Sequence, residues 1–178
     1  MFRVGSRMAV RTVAAGFVGA CAVGAMSLVG TGGASAAPLV CDAANNGQVN
    51  RVVGAGSCGA RAQGVATAHA EDRSGAGTAV ASSLTNGRAN ALNTAPGSTA
   101  LAGARSGGTS YSFSVGPGGL SVAQARTGGT SVSVAGIGGA AYSGEGGVRC
   151  SGGAAAAYDS TTGTFCFGTG RTYFTNVR

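Results

Sequence analysis

The chain has 178 residues, 12 basic side chains against five acidic ones, and a formal net charge of +7. Every basic residue is an arginine, charged residues make up only 10% of the chain, and 35 positions are glycine. Basic residues spread this thinly exclude a nucleic-acid footprint, which needs them clustered on one face.

The first 36 residues read as an export signal. Arg3, Arg7 and Arg11 form a positive leading region, Val13 to Gly30 is apolar and uncharged, and Ala34-Ser35-Ala36 offers small residues for cleavage before Ala37-Pro38. Two other readings share this segment. The run from Val13 to Gly30 is just long enough to span a bilayer as an anchor. Val18-Gly19-Ala20-Cys21 resembles a lipobox, in which Cys21 becomes a lipidated N-terminus and brings membrane contact. Cleavage after Ala36 removes three of the 12 basic residues and leaves nine arginines against five acids. It also leaves a chain of a length that suits one domain.

Residues 37–62 follow as an N-terminal cap, and within them 54–62 (GAGSCGARA) echo 75–83 (GAGTAVASS). Residues 63–146 then hold a unit of 21 residues four times over, at 63–83, 84–104, 105–125 and 126–146. The third copy reads RSGGTSYSFSVGPGGLSVAQA and the fourth RTGGTSVSVAGIGGAAYSGEG. Self-similarity at a fixed period is the mark of one supersecondary unit stacked on copies of itself. In the third copy, Thr109 to Val115 and Leu120 to Ala125 alternate with period two. They are separated by Gly116-Pro117-Gly118-Gly119 and closed by Thr127-Gly128-Gly129, the pattern of strands between turns. The expected fold is all-β: a short β-solenoid of about four coils with two strands each. An antiparallel meander or sandwich built from the same strands is the alternative.

Aligned columns divide each strand into two faces. One face is tiny apart from Tyr142: Ala68, Ala89, Ser110 and Ser131; Ala70, Ala91, Ser112 and Ser133; and, in the second strand, Ala79, Ala100, Ser121 and Tyr142. The opposite face varies, from His69, Glu71 and Asn90 in the early copies to apolar residues later. Either the small face is the core of two closely approaching sheets, or the large residues are the core in the usual way. In the first case Tyr111, Phe113, Val115, Leu120, Val122, Val132 and Val134 form an exposed apolar stripe, the mark of a binding or self-association surface. Arg105 and Arg126 fall at one repeat position and would stack as a small basic ledge.

Residues 147–178 depart from the repeat and read as a C-terminal cap hairpin, Ala154 to Tyr158 returning through Asp159–Gly163 to Thr164–Phe167. Tyr158, Phe165, Phe167, Tyr173 and Phe174 crowd this end and are expected to plug the array, or else to dock a partner. Four cysteines remain after export, an even number in an exported chain. Cys41 with Cys58 and Cys150 with Cys166 flank the two ends of the array, where stacked repeats need caps, so these are the expected disulfides. A four-thiolate metal site lacks its usual close spacing here.

No residue set carries a catalytic or cofactor signature. His69 is the one histidine, no G-x-S-x-G elbow frames a serine near it, and Asp42, Glu71, Asp72, Glu145 and Asp159 contain no singled-out pair. The glycine-rich turns lack the lysine of phosphate loops and the aspartates of calcium-binding rolls. The expectation is therefore no enzyme, no cofactor and no bound metal.

Ala36-Ala37-Pro38, the early Cys41 and Cys58, and arginine without lysine together resemble small exported Ala/Gly-rich proteins of unknown function from high-GC bacteria. That resemblance implies export. The run Ser131 to Gly136 (SVSVAG) resembles the repeated strands of trimeric-autotransporter adhesin heads, which implies an adhesive role. The sequence therefore points to an exported, non-enzymatic structural or binding module of the cell envelope or extracellular space. Its partner would be an envelope component, a host surface or a second copy of itself. A self-assembling surface or fibre subunit and a secreted enzyme are the alternatives.

Overall fold

The structure is a computed structural model that describes residues 37–177. The segment read as an export signal, with Cys21, lies outside the described residues. Fifteen strands and no helix are found among those residues. Two flanking strands, β1 (Leu39–Ala44) and β2 (Gln48–Val53), precede the array. The array itself alternates between two sheets. β3 (Gly56–Gln63), β5 (Thr78–Leu84), β7 (Thr99–Arg105), β9 (Leu120–Ala125) and β11 (Gly139–Gly144) stack in one sheet. β4 (Thr67–Asp72), β6 (Arg88–Asn93), β8 (Thr109–Ser114) and β10 (Thr130–Ala135) stack in the other. The chain closes with β12 (Gly147–Gly152), β13 (Ala155–Asp159), β14 (Thr164–Thr169) and β15 (Thr172–Thr175).

Neighbouring coils pair in parallel, one repeat apart. Thr67 faces Arg88, Arg88 faces Thr109 and Thr109 faces Thr130, while Ser57, Thr78, Thr99 and Leu120 form the matching row in the other sheet. The chain is thus a β-solenoid of about four coils, and the echo of 75–83 in 54–62 is β3 laid directly against β5. Both ends switch to antiparallel pairing: β1 on β4 and β2 on β3 at one end, β12 on β11 and β13, β14 and β15 beyond β10 at the other. The eight-stranded sheet therefore runs β1-β4-β6-β8-β10-β13-β14-β15, and the seven-stranded sheet β12-β11-β9-β7-β5-β3-β2.

Turn chemistry makes the coil possible. Thr85 and Asn86 (φ 47° and 61°), Ser106 and Gly107 (52° and 76°) and Thr127 and Gly128 (50° and 72°) take the left-handed region in pairs. Each pair is closed by a bond from the amide two positions past its first residue, such as Gly87 N to Leu84 O at 3.1 Å. Left-handed pairs match strand twist and favour Asn and Gly, which these columns supply. Stacking runs through the turns as well, since Gly107 N donates to Thr85 O at 3.0 Å and Gly128 N to Ser106 O at 3.0 Å.

The small residues are the core. Ala68, Ala70, Ala89 and Ala91 from one sheet meet Ala79, Ala81, Ala100 and Ala102 from the other, each no more than 5% exposed. In the middle coils serine replaces alanine, and the hydroxyls pair with one another. Ser112 Oγ donates to Ser121 O at 2.8 Å, and the Ser121 and Ser133 hydroxyls lie 2.7 Å apart. Side chains this short allow the sheets to approach so closely that only Ala, Ser and Gly fit between them. A methyl group removes little area from water, on the order of 0.8 kcal/mol per carbon. Continuous backbone ladders and covalent staples therefore carry more of the stability than in a leucine-rich core.

The fourth coil departs from the column alignment. Its corner after β10 is one residue shorter, so Ser121 faces Ala141 and Val122 faces Tyr142. Repeat counting at 21 puts Tyr142 in the inner column. The shorter corner instead places Ala141 inside, 2% exposed, and turns Tyr142 outward, which an inner column of methyl and hydroxyl groups requires.

Disulfides join Cys41 to Cys58 and Cys150 to Cys166. Each crosses the interior, from β1 to β3 and from β12 to β14, and pins the two sheets together at a cap. Such bridges suit an oxidising compartment. Aromatic residues at the C-terminus do not plug the array. Beneath them the core consists of Ala155, Ala157, Val148 and Cys166, and Tyr173 is the aromatic that packs on it. Tyr158, Phe165, Phe167 and Phe174 point outward and are 39–58% exposed.

Candidate functional site

Small residues fill the inner face of the coils, so apart from side chains buried at corners and caps, such as Asp72, Asn93, Leu39 and Val148, the large residues lie outside, on two opposed faces. The apolar stripe expected from the columns is divided between them. Tyr111, Phe113, Val132 and Val134 stand on the eight-stranded sheet, Leu120 and Val122 on the seven-stranded sheet, and Val115 on the corner between β8 and β9.

On the eight-stranded sheet, register builds two adjacent rows across the strands. One runs Asn90, Tyr111, Val132, Tyr158, Phe165. The other runs Leu92, Phe113, Val134, Ala156, Phe167, Phe174. Ring centroids lie 6.4 Å apart in Tyr111–Phe113, 6.2 Å in Phe165–Phe167 and 5.3 Å in Phe167–Phe174. A third row, Thr67, Arg88, Thr109 and Thr130, borders the aromatic rows with hydroxyls and a guanidinium. Leu92 falls in the column of Phe113 and Val134; the residues that column reading missed are Tyr158, Phe165, Phe167 and Phe174. Their signal was the C-terminal hairpin: pairing about Asp159 and Thr164 places Tyr158 beside Phe165 and continues the aromatic rows past the last repeat.

At the other end the same face is polar. His69 Nδ1 lies 2.6 Å from Asp42 Oδ1, its direct neighbour across β1 and β4, and His69 Nε2 lies 3.7 Å from Glu71 Oε2. Arg73 donates to Glu71 through Nε at 2.7 Å and Nη2 at 3.2 Å. These bonds, with the charges of Arg73 and His69, hold the Glu71 carboxyl below its ordinary range against an opposing effect of burial. No serine or cysteine is hydrogen-bonded to His69 among the described residues.

Asp72 and Asp159 are buried at 0% and 2% exposure and satisfied internally. Asp72 accepts bonds from Ser74 N and Oγ, Gly77 N and Asn93 Nδ2. Asp159 accepts bonds from Thr162 N and from the Ser131 hydroxyl. Both act as structural acceptors at corners. The thiols of Cys41, Cys58, Cys150 and Cys166 are consumed as disulfides, which leaves none of the four free to bind a metal.

The seven-stranded sheet carries a narrower apolar row, Val80, Leu101, Val122 and Tyr142. Around it are Arg61, Arg105, Arg126 and Arg149, while four of the five acids stand on strands of the other sheet. Arg105 and Arg126 do stack on adjacent coils, and both pair with Glu145 from the turn between β11 and β12.

Residues 5–169 match a family model described as a family of unknown function, DUF6764. No curated protein and no solved structure matches the chain.

Proposed function

The chain belongs to the DUF6764 family, and we propose that it is an exported, non-enzymatic binding module. In this reading it docks a linear glycan of the envelope or extracellular space on the outer face of its eight-stranded sheet, in an adhesin-like role. The observation that carries this is the pair of aromatic and aliphatic rows from Leu92 to Phe174, solvent-exposed on a rigid surface. Monomeric proteins seldom expose contiguous apolar surface unless it binds something.

The dimensions and border of the face support a glycan. At ~4.8 Å between strands the six-strand row is about 24 Å long and the five-strand row about 19 Å, and the two rows lie about 7 Å apart, two residues along each strand. That footprint is well under the ~800 Å² per partner of a standard protein interface. It suits a narrow, extended occupant better than a second folded copy. Aromatic rings offer flat apolar contact to the C–H faces of sugars, and the bordering Arg88, Thr109 and Thr130 offer hydrogen bonds to their hydroxyls. A lipid surface would have no use for that polar border. Export rests on the signal-like segment and on the two disulfides, which suit an oxidising compartment.

Phe113 and Val122 give the test, because they occupy opposite sheets. Cosedimentation of the mature chain with purified cell-wall polysaccharide from the producing cell should be lost in Phe113→Asp and retained in Val122→Asp, with both variants melting as folded proteins. Equal loss in both, or retention in both, overturns the assignment of the face. Binding to phosphatidylcholine vesicles in place of the polysaccharide would make the face a lipid surface.

A second reading, self-assembly, is favoured by β15, which carries Phe174 and whose outer edge is unpaired among the described residues. An open edge strand is a template for another chain. Sedimentation velocity over a hundredfold concentration range separates the two, since a glycan-binding monomer keeps one sedimentation coefficient.

A further inference from the structure

On the seven-stranded sheet, away from the aromatic rows, we infer a second binding site for a carboxylate-bearing ligand with an apolar body. Its headgroup would take the place that Glu145 occupies on Arg105 and Arg126. The site begins with register. Leu84 faces Arg105 across β5 and β7, and one row in, Ser82 faces Gly103 and Gly103 faces Gln124. Gly103 has no side chain, and a groove of about 240 Å³ opens there between Ser82 and Gln124. Leu84 and Ala104 give the groove apolar walls, and Arg105 and Arg126 stand at its end.

Two guanidiniums at equivalent positions of adjacent coils repel one another unless an anion bridges them. Glu145 is that anion: its Oε2 lies 3.9 Å from Arg105 Nη2 and is also paired with Arg126. Both arginines thus turn toward one carboxylate, an anion with which a planar guanidinium pairs readily. Glu145 is also a displaceable occupant. It sits in the turn Gly144-Glu145-Gly146-Gly147, it is 67% exposed, and glycines on both sides let it swing away at little steric cost. Ion pairs this exposed contribute little, so a ligand that adds apolar contact along the groove has an advantage over it. Charge supports the same ligand class, because the outer face of this sheet collects Arg61, Arg105, Arg126 and Arg149, and Glu145 is the one acid paired with any of them among the described residues. The site does not depend on the aromatic face, so either can fail without the other.

Octanoate serves as the probe and octanol as its uncharged match, read by NMR on the intact mature protein. Octanoate should shift the Arg105 and Arg126 side-chain Nε–H signals and the Gly103 amide, and octanol should not. Glu145→Gln should tighten octanoate binding by about threefold, the order expected for releasing one exposed ion pair. Arg126→Gln should weaken it at least tenfold. Equal shifts with octanol, or an affinity unmoved by Glu145→Gln, would overturn the proposal. If Glu145→Gln disturbs the turn itself, the octanoate and octanol comparison on the unaltered chain still decides.

Discussion

Asn93 Nδ2 lies 2.9 Å from Asp72 Oδ1, and both side chains are wholly buried at the same corner of successive coils. Asn93 also donates to Ala95 O at 3.1 Å and accepts a bond from the Ser98 hydroxyl, so the buried carboxylate is held by neutral donors alone. Gly77 is glycine because a Cβ there would come 1.8 Å from Asn93 Nδ2. Replacing Asn93 by Asp removes a donor and sets two carboxylates in contact away from water. We expect Asn93→Asp to lose about 3–5 kcal/mol at neutral pH, the range for an uncompensated buried charge. Part of that loss should return on acidification as one carboxyl takes up a proton, while Asn93→Ser should lose less and show no such recovery. Urea unfolding at pH 7 and pH 4 reads both.

Neighbours in β7 test which face is core. Ala100 has no exposed surface and faces the opposite sheet; Leu101, next in sequence, points outward. Ala100→Leu forces three extra carbons between sheets spaced for methyl groups and should cost 1–3 kcal/mol or more. Leu101→Ala should cost about 1 kcal/mol or less, because its side chain is already partly in water. Thermal melting of the two variants should therefore rank them opposite to ordinary expectation, with the large-to-small change the milder.

Much of this architecture was legible in the sequence because stacking imposes a fixed period. Thr85-Asn86, Ser106-Gly107 and Thr127-Gly128 mark their turns at constant spacing, and Cys41, Cys58, Cys150 and Cys166 mark the caps. Burial was not legible from alternation, since two tiny faces can pack together as well as two large ones. Only the stacked register decided for Ala and Ser inside. Tyr142 was placed in the wrong column because one residue lost at a corner inverts every later side chain of that strand. The aromatic rows were seen only in part. They depend on a hairpin outside the repeat, where column counting has nothing to count. The join of Arg105 and Arg126 to Glu145 was not legible either, because Glu145 lies in the turn between β11 and β12 and column counting does not say where a turn folds back.

The two disulfides make a paired prediction. Cys41–Cys58 and Cys150–Cys166 close loops of 17 and 16 residues, so chain entropy assigns each about 3 kcal/mol. Each also ties an antiparallel cap to the parallel array. Replacing Cys41 and Cys58 by serine should lower the urea midpoint and expose the amides of β1 and β2 to hydrogen exchange, with the amides of β13 and β14 still protected. Replacing Cys150 and Cys166 should do the reverse. Loss of protection along the whole array in either variant would mean that the coils cannot stand without that cap, as expected if terminal repeats nucleate the stack.

Acid should weaken the polar end of the eight-stranded sheet through Glu71. Arg73, by hydrogen bond and charge, and His69 hold the Glu71 carboxyl below its ordinary value of 4.5 in the folded chain. A carboxyl whose folded pKa lies under its unfolded pKa binds fewer protons when folded, so its contribution is present in full above the unfolded value. That contribution fades as pH falls from about 4.5 through the folded value. Glu71→Gln should therefore melt below the unaltered chain at pH 7, by a small margin given how open Arg73 is to solvent. The two melting curves should converge as pH drops below the carboxylate range. A gap that stays constant on acidification would mean that Glu71 contributes by packing between Val40 and Leu92 rather than by its charge.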